Sequence, residues 1–211
     1  KTKFVIEKYL KLAILKNIHL LQDVSKERLY LEFQKLFNQS CTLDAFNRLI
    51  EYKIFTQLFP TVDLSNELEI EFLRQLFYQA DKRTVHAQRN SYAFIFSCIL
   101  WHSYSDAFSD IRSTNQDIEY KQQHKDACIY IFNLQNSTGL RIPYKTQITI
   151  RKIWDIQNML ENEKCNVDNK QILLKHKFKI SYHLLVLRNK YYSDLSLQTK
   201  FWNKIVSKYN L

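Results

Sequence analysis

Only one glycine, Gly139, and two prolines, Pro60 and Pro143, punctuate 211 residues. Tight hairpin turns draw on residues that tolerate positive φ, glycine above all, so a chain this poor in glycine has few ways to fold strands back on one another. The expected fold is therefore all-α, an elongated array of about ten helices joined by short polar links. The same scarcity removes whole chemistries. A glycine-rich phosphate-cradling loop needs several glycines and a Gly-x-Ser-x-Gly elbow needs two, so neither can be written with Gly139 alone. With 45% apolar and 14% aromatic residues the chain has enough to bury, in one large core or two small ones.

Apolar residues recur with a helical period along most of the chain. Phe4, Ile6, Tyr9, Leu10, Ala13 and Ile14 form one stripe and Leu29, Phe33, Leu36 and Phe37 the next, both expected to pack on neighbours. Thr42 is placed to cap a helix running to about Tyr52, and Ser65 another through Leu68, Phe72, Leu76 and Phe77 toward Ala80. Asn90 or Ser91 opens the most apolar helix, Ala93 to Tyr104, expected at the centre of the core. A polar helix from about Asn115 turns apolar at Ile129, Ile131, Phe132 and Leu134, and Gly139 ends it as a C-terminal cap. Ile142-Pro143 starts a basic helix with Ile148, Ile153, Trp154 and Ile156 inward; Asp168 and Gln171 form a capping-box pair for a short one. Two last helices carry Tyr182, Leu184, Leu185 and Leu187, then Leu197, Phe201, Trp202 and Ile205.

The formal net charge of +10 is unevenly held. Residues 1–140 carry 17 Lys+Arg against 16 Asp+Glu, whereas residues 141–211 carry 14 against 5. Such asymmetry points to a polyanion-binding end on a neutral scaffold, with a solvated lysine-rich surface as the alternative. Arg141, Lys145, Arg151 and Lys152 cluster at one helix start; Lys175, Lys177 and Lys179 flank Phe178; Arg188 and Lys190 precede Tyr191 and Tyr192. Cations of this kind attract phosphates without regard to sequence, and exposed aromatic faces stack unpaired bases. Phe178, Tyr182, Trp154 and Trp202 fall on inward stripes and are assigned to the core, which leaves Tyr191 and Tyr192 as stacking candidates. Four widely spaced cysteines, Cys41, Cys98, Cys128 and Cys165, give no disulfide framework and fit a reducing cytoplasm, and no apolar run is long enough to span a membrane. The first residues, Lys1-Thr2-Lys3-Phe4, contain neither an initiator methionine nor a signal core, so the chain is expected to be part of something longer.

Three constellations resemble sites. Cys98 with His102 and His124 with Cys128 are each four apart, the spacing of paired zinc ligands, but such pairs are commonly buried small side chains and no metal site is assigned. Glu67, Glu69 and Glu71 alternate and so spread around a helix, as expected of solvated carboxylates; Asp117-Ile118-Glu119 has the same weakness.

The segment Ser25-Lys26-Glu27-Arg28-Leu29-Tyr30-Leu31-Glu32-Phe33 carries more information. Ser25 is a good N-cap, Glu27 sits where the helix dipole favours an anion, Val24 can staple onto Leu29, and Arg28 and Glu32 fall on one face within pairing distance. Further on come Tyr52-Lys53-Ile54-Phe55 with Leu58-Phe59-Pro60; Arg89, Ala93-Phe94-Ile95-Phe96 and Trp101; Ile142-Pro143 with Arg151, Ile153-Trp154 and Gln157; and Phe178, Tyr182, Leu184-Leu185 and Leu187-Arg188. In this order the segments resemble the C-terminal region of the bacterial poly(A) polymerases, class II RNA nucleotidyltransferases, from about Lys11 to Val206.

The resemblance implies a neck over residues 1–60, a body over 61–140 and a basic RNA-binding tail over 141–211. It implies that Glu27, Arg28 and Glu32 support a nucleotide pocket, and that Arg141, Lys145, Arg151, Lys152, Lys177, Arg188 and Lys190, with Tyr191, hold single-stranded RNA near its 3′ end. The family's head uses a Gly-Ser or Gly-Gly turn and an Asp-x-Asp pair to hold Mg2+ for transfer of AMP from ATP; none of these occurs in the 211 residues, so this region is expected to be non-catalytic by itself, with no cofactor of its own. The paired-arginine neck motif that reads the base, and an arginine-rich extension after the last helix, are not found here either, and Tyr92 stands where the family often has proline. The parent would be a polynucleotide adenylyltransferase of mRNA processing, with RNA-decay proteins as unassigned partners. A CCA-adding enzyme is the first alternative, disfavoured by Ile142 to Gln157; a head-less helical adaptor is the second.

Overall fold

The computed structural model describes residues 6–37, 40–161 and 169–209. Phe4, Cys165 and Asp168 of the expectations above lie outside them. The described residues form helices and no strands, as the shortage of glycine predicts.

Among the described residues there are twelve α-helices: α1 (Lys8–Lys16), α2 (Lys26–Leu36), α3 (Thr42–Glu51), α4 (Ile54–Leu58), α5 (Glu67–Val85), α6 (Tyr92–Ile99), α7 (Trp101–Thr114), α8 (Tyr120–Thr138), α9 (Tyr144–Glu161), α10 (Asn169–Leu173), α11 (Phe178–Arg188) and α12 (Ser196–Lys208). Short 3-10 turns, Ile18–Asp23 and Ser193–Leu195, precede α2 and α12. Two positions needing left-handed backbone are filled without glycine, by Lys53 at φ 57° before α4 and Ala87 at φ 55° after α5.

Caps follow local chemistry, with two reassignments. Ser25 and Ser91 accept from the amides of Arg28 and Phe94, each at 3.3 Å, as expected. Asn66 rather than Ser65 caps α5, accepting from Leu68 N at 3.0 Å, because Ser65 is held in a turn by Asp63. At α3 the Thr42 side chain is buried and donates to Leu36 O; the backbone amides of Thr42 and Leu43 donate to the Asp81 carboxylate, at 2.6 and 3.0 Å. A carboxylate from α5 thus both neutralises the start of α3 and fixes the two helices together. The helix expected from Ala93 to Tyr104 is two helices, broken at Leu100.

One core cluster runs through most of the helices. Phe33, Phe37, Phe46, Phe55 and Phe59 meet Phe72 and Phe77 of α5 and Phe96 of α6, with ring centroids as close as 4.4 Å for Phe46 and Phe77. The cluster continues through Tyr104 and Ile131 to α9, where Trp154 is fully buried. Its indole stacks on Tyr104 at 4.3 Å and Phe132 at 5.4 Å, and its N–H donates to Ser97 O at 3.0 Å. The buried ring therefore leaves no polar atom without a partner. Farther along α9, Ile156 and Leu160 face a second cluster with Ile172, Phe178, Leu185, Leu195 and Trp202. α9 is the shared wall of both, and α11 packs along it.

Some expected packing does not occur. No residue of α1 is buried; Tyr9, Leu10 and Leu12 are exposed, and the helix is tied down by Lys11, which pairs with Glu51 at 2.9 Å. Leu197 and Phe201 of α12 are also exposed, leaving Trp202 as its anchor.

Gly139 is the C-terminal cap of α8, as expected, but not a left-handed one, since its φ of −113° is open to any residue. It is required by crowding instead. A Cβ there would collide with Leu58 O and the Gln135 amide and press on Pro60, at the point where Gln135 and the Leu140 amide both donate to Leu58 O. Gly139→Ala is expected to lower stability by about 2–3 kcal/mol, read as a reduced urea midpoint with unchanged slope. A midpoint equal to that of the parent would show that the loop simply shifts.

Candidate nucleic-acid interface

The start of α2 is held against the end of α8. Lys26 donates through its ammonium to Asn136 O at 3.1 Å and to Ser137 O, so a cation sits on the carbonyl-rich C-terminus of α8. Beside it Arg141 Nη1 donates to Glu27 Oε1 at 3.0 Å, and the Arg141 amide reaches Lys26 O. The Glu27 carboxyl lies below the usual range because its own backbone amide and then Arg141 stabilise the anion. Glu27 and Arg141, distant in sequence, thus form one joint. Arg28 is exposed, and Glu32 pairs with Lys35 at 2.8 Å rather than with Arg28; the Lys35 hydrogen bond is also what lowers the Glu32 pKa.

The basic third presents its cations unequally. Lys145 and Lys152 are exposed on one face of α9, two turns apart. Lys190 is exposed just past α11, and Lys177, half-buried, precedes its first turn. Arg151 is half-buried and turned toward Cys128.

Arg188, by contrast, is buried and is withdrawn as a phosphate contact. Its guanidinium lies 4.1 Å over the Trp101 ring and is bonded to Glu161. The signal was present in the spacing, because Phe178, Ser181, Leu184, Leu185 and Arg188 share the buried stripe of α11. Tyr191 is not a free platform either; it packs half-buried with its ring edge-on to Phe72 at 6.2 Å.

Behind Tyr191 lies a polar cluster the sequence reading did not identify. Glu69 is 3% exposed, not solvated, with Oε2 3.5 Å from His102 Nδ1. Burial, then Asp106 and Asp63, raises its pKa to about 8, while burial and Arg188 lower that of His102 to about 4. The Tyr192 ring lies tilted against His102 with centroids 4.8 Å apart, and burial raises its phenol to about 12. The two Cys/His pairs do not form a ligand set: His124 Nδ1 is 2.7 Å from Tyr104 OH, and among the described residues no group of three or more His, Cys, Asp or Glu side chains is placed to hold a metal ion.

A groove between α5, α6 and α11, of about 520 Å³, was also not anticipated. Phe94, Ile180 and Val186 line its apolar part, and Arg83, Lys179 and Lys190 its basic part.

Fold and surface define a class, an all-α module that gathers its cations toward its C-terminal end and has no glycine-rich nucleotide loop. Residues 3–65 match a family model described as the probable RNA and SrmB binding site of polymerase A, and residues 116–210 one described as the polymerase A arginine-rich C-terminus. Poly(A) polymerase I of Escherichia coli O6:H1 is 26% identical over 193 residues, covering 88% of this chain and 41% of that protein. The same enzyme of Salmonella typhi is 24% identical over 185 residues, covering 85% and 39%. The chain belongs to the bacterial poly(A) polymerase family and corresponds to its C-terminal region. The family's arginine-rich C-terminus falls on α8 to α12 rather than beyond the last helix, and here lysine supplies most of its charge, the arginines being Arg141, Arg151 and Arg188.

Proposed function

We propose that this chain is the RNA-holding C-terminal region of a template-independent poly(A) polymerase, whose head adds AMP from ATP to RNA 3′ ends. The observation that carries the reading is the set of exposed lysines, Lys145, Lys152 and Lys190, that meet no carboxylate among the described residues, on a region matched to polymerase A. Unpaired lysines at that density attract a phosphate backbone and release its counterions, giving binding that is steep in salt and indifferent to base. Glu27, through its joint with Arg141, ties the neck helix to the tail, and Arg28 and Glu32 remain exposed on α2 to brace a head. ATP and Mg2+ belong to that head. The free, buried thiols of Cys98 and Cys128 fit a cytoplasmic setting, and no helix described is long and apolar enough to cross a membrane.

Filter binding of oligoadenylate over a salt series tests the reading. Lys145→Gln with Lys152→Gln is expected to weaken binding and to reduce the magnitude of the log–log salt slope by about 1.4, since each phosphate that a lysine neutralises on a single strand adds about 0.7 to it. Absence of retention at low salt would overturn it.

A further inference from the structure

The groove between α5, α6 and α11 combines three features that a short unpaired RNA segment needs. It is roomy, at about 520 Å³, within the range of sites that enclose small organic ligands. It is apolar where Phe94, Ile180 and Val186 line it, and cationic where Arg83, Lys179 and Lys190 do, and none of its lining residues is acidic. Among the described residues none of those three cations is paired with a carboxylate.

The cations are also laid out along a line. Lys179, His183, Val186 and Lys190 recur along one face of α11 and its end, so Lys179 and Lys190 lie about 16 Å apart along the axis at about 1.5 Å per residue. That span equals about five stacked nucleotides at the roughly 3.4 Å strand rise of a duplex. The opposite wall is fixed before any ligand arrives. Arg83 Nη2 donates to Arg89 O at 3.1 Å, and the Asn90 amide reaches Phe37 O at 3.1 Å and Ala80 O at 3.2 Å, which pins the turn between α5 and α6. A wall held in this way costs little ordering on binding. Burial and the neighbouring Arg83 hold the His183 imidazole below its usual range, as a positive local field requires.

From this arrangement we propose that the groove is the seat of a short single-stranded RNA segment, its bases against Phe94, Ile180 and Val186 and its phosphates on Arg83, Lys179 and Lys190. The proposal rests on the RNA-holding function above and goes further, because it adds Arg83 and the apolar wall of Phe94, Ile180 and Val186 to Lys179 and Lys190, which charge clustering had selected. RNA is favoured over an acidic peptide because the cations follow a line with apolar surface beside it, the pattern of a backbone with bases on one side.

The test uses the full chain and a variant carrying Arg83→Gln, Lys179→Gln and Lys190→Gln, all at exposed positions, with a thermal melt to confirm the fold. Oligoadenylate, inorganic polyphosphate and oligoglutamate are the probes. The expected result is a 10- to 100-fold loss of oligoadenylate affinity in the variant, a slope smaller in magnitude by about 2, and weaker binding of polyphosphate than of oligoadenylate to the parent. Unchanged oligoadenylate affinity and slope in the variant would overturn the groove while leaving the RNA-holding function standing. Equal binding of polyphosphate would overturn the base contact, and oligoglutamate displacing oligoadenylate from the parent but not from the variant would assign the groove to an acidic peptide. No oligoadenylate binding by the parent would remove both readings.

Discussion

Replacing Arg188 by alanine is expected to destabilise the protein by about 3–5 kcal/mol while leaving the RNA salt slope of the folded fraction unchanged. The guanidinium covers the Trp101 face at 4.1 Å and bonds Glu161, whose carboxylate also accepts from Gln157 at 3.1 Å. Truncation removes a desolvated cation–π contact, opens a cavity beside Trp101, and leaves Glu161 with only part of its solvation restored. Arg188→Lys keeps the charge but loses the planar face, so it should fall between alanine and the parent. Lys190→Gln, two residues away and exposed, should change stability by less than about 0.5 kcal/mol. Urea unfolding measures all three. A stable Arg188→Ala protein with a reduced salt slope would return Arg188 to the RNA-contacting set.

Glu69→Gln should convert a protein that loses stability between about pH 6.5 and 8 into one that does not. The folded carboxyl titrates near 8, raised above its unfolded value of about 4.5 by burial first and by Asp106 and Asp63 after it. Its contribution is therefore whole below about pH 4.5 and declines as pH rises, until the folded group itself ionises near 8. His102 acts in the opposite sense. Its folded pKa near 4 lies below an unfolded value near 6.5, so stability from its neutral form declines as pH falls from about 6.5 to 4. The two limbs offset one another between about pH 4.5 and 6.5, and the carboxyl alone governs the range from about 6.5 to 8. At about 1.4 kcal/mol per pKa unit, and with the neighbouring imidazole sharing part of the proton's effect, the variant should gain roughly 2–4 kcal/mol over the parent at about pH 8.5. Thermal melts across pH would detect it; parallel curves for the two proteins would mean that Glu69 ionises normally in the fold.

Both expectations concern charges on buried stripes, and that is where reading from residues alone fell short. Glu69 shares its face with Phe72, Leu73 and Leu76, as Arg188 does with Leu184 and Leu185, so helical spacing carried the signal in each case. Residue type pointed the other way, since lone charges are usually solvated, and only a partner brought in by the fold keeps them inside. The partners, His102 for one and Trp101 and Glu161 for the other, come from different helices.

By itself the sequence determined the class of fold, because one glycine and a persistent helical period leave little besides helix. It also determined the capping serine Ser25, narrowed the cap of α6 to Asn90 or Ser91, and determined the burial of Trp154 and Trp202 and the order of motifs that places the chain in its family. These depend on near neighbours or on a face repeated along one helix. Tertiary structure alone decided what requires two distant segments to meet: Asp81 capping α3, Lys26 on the end of α8, Glu27 with Arg141, Gly139 beneath Leu58, and the groove of Arg83, Lys179 and Lys190. The physical reason is that a side chain's role follows from the field and the neighbours around it, and for these residues the neighbours are supplied by helices far away in the chain.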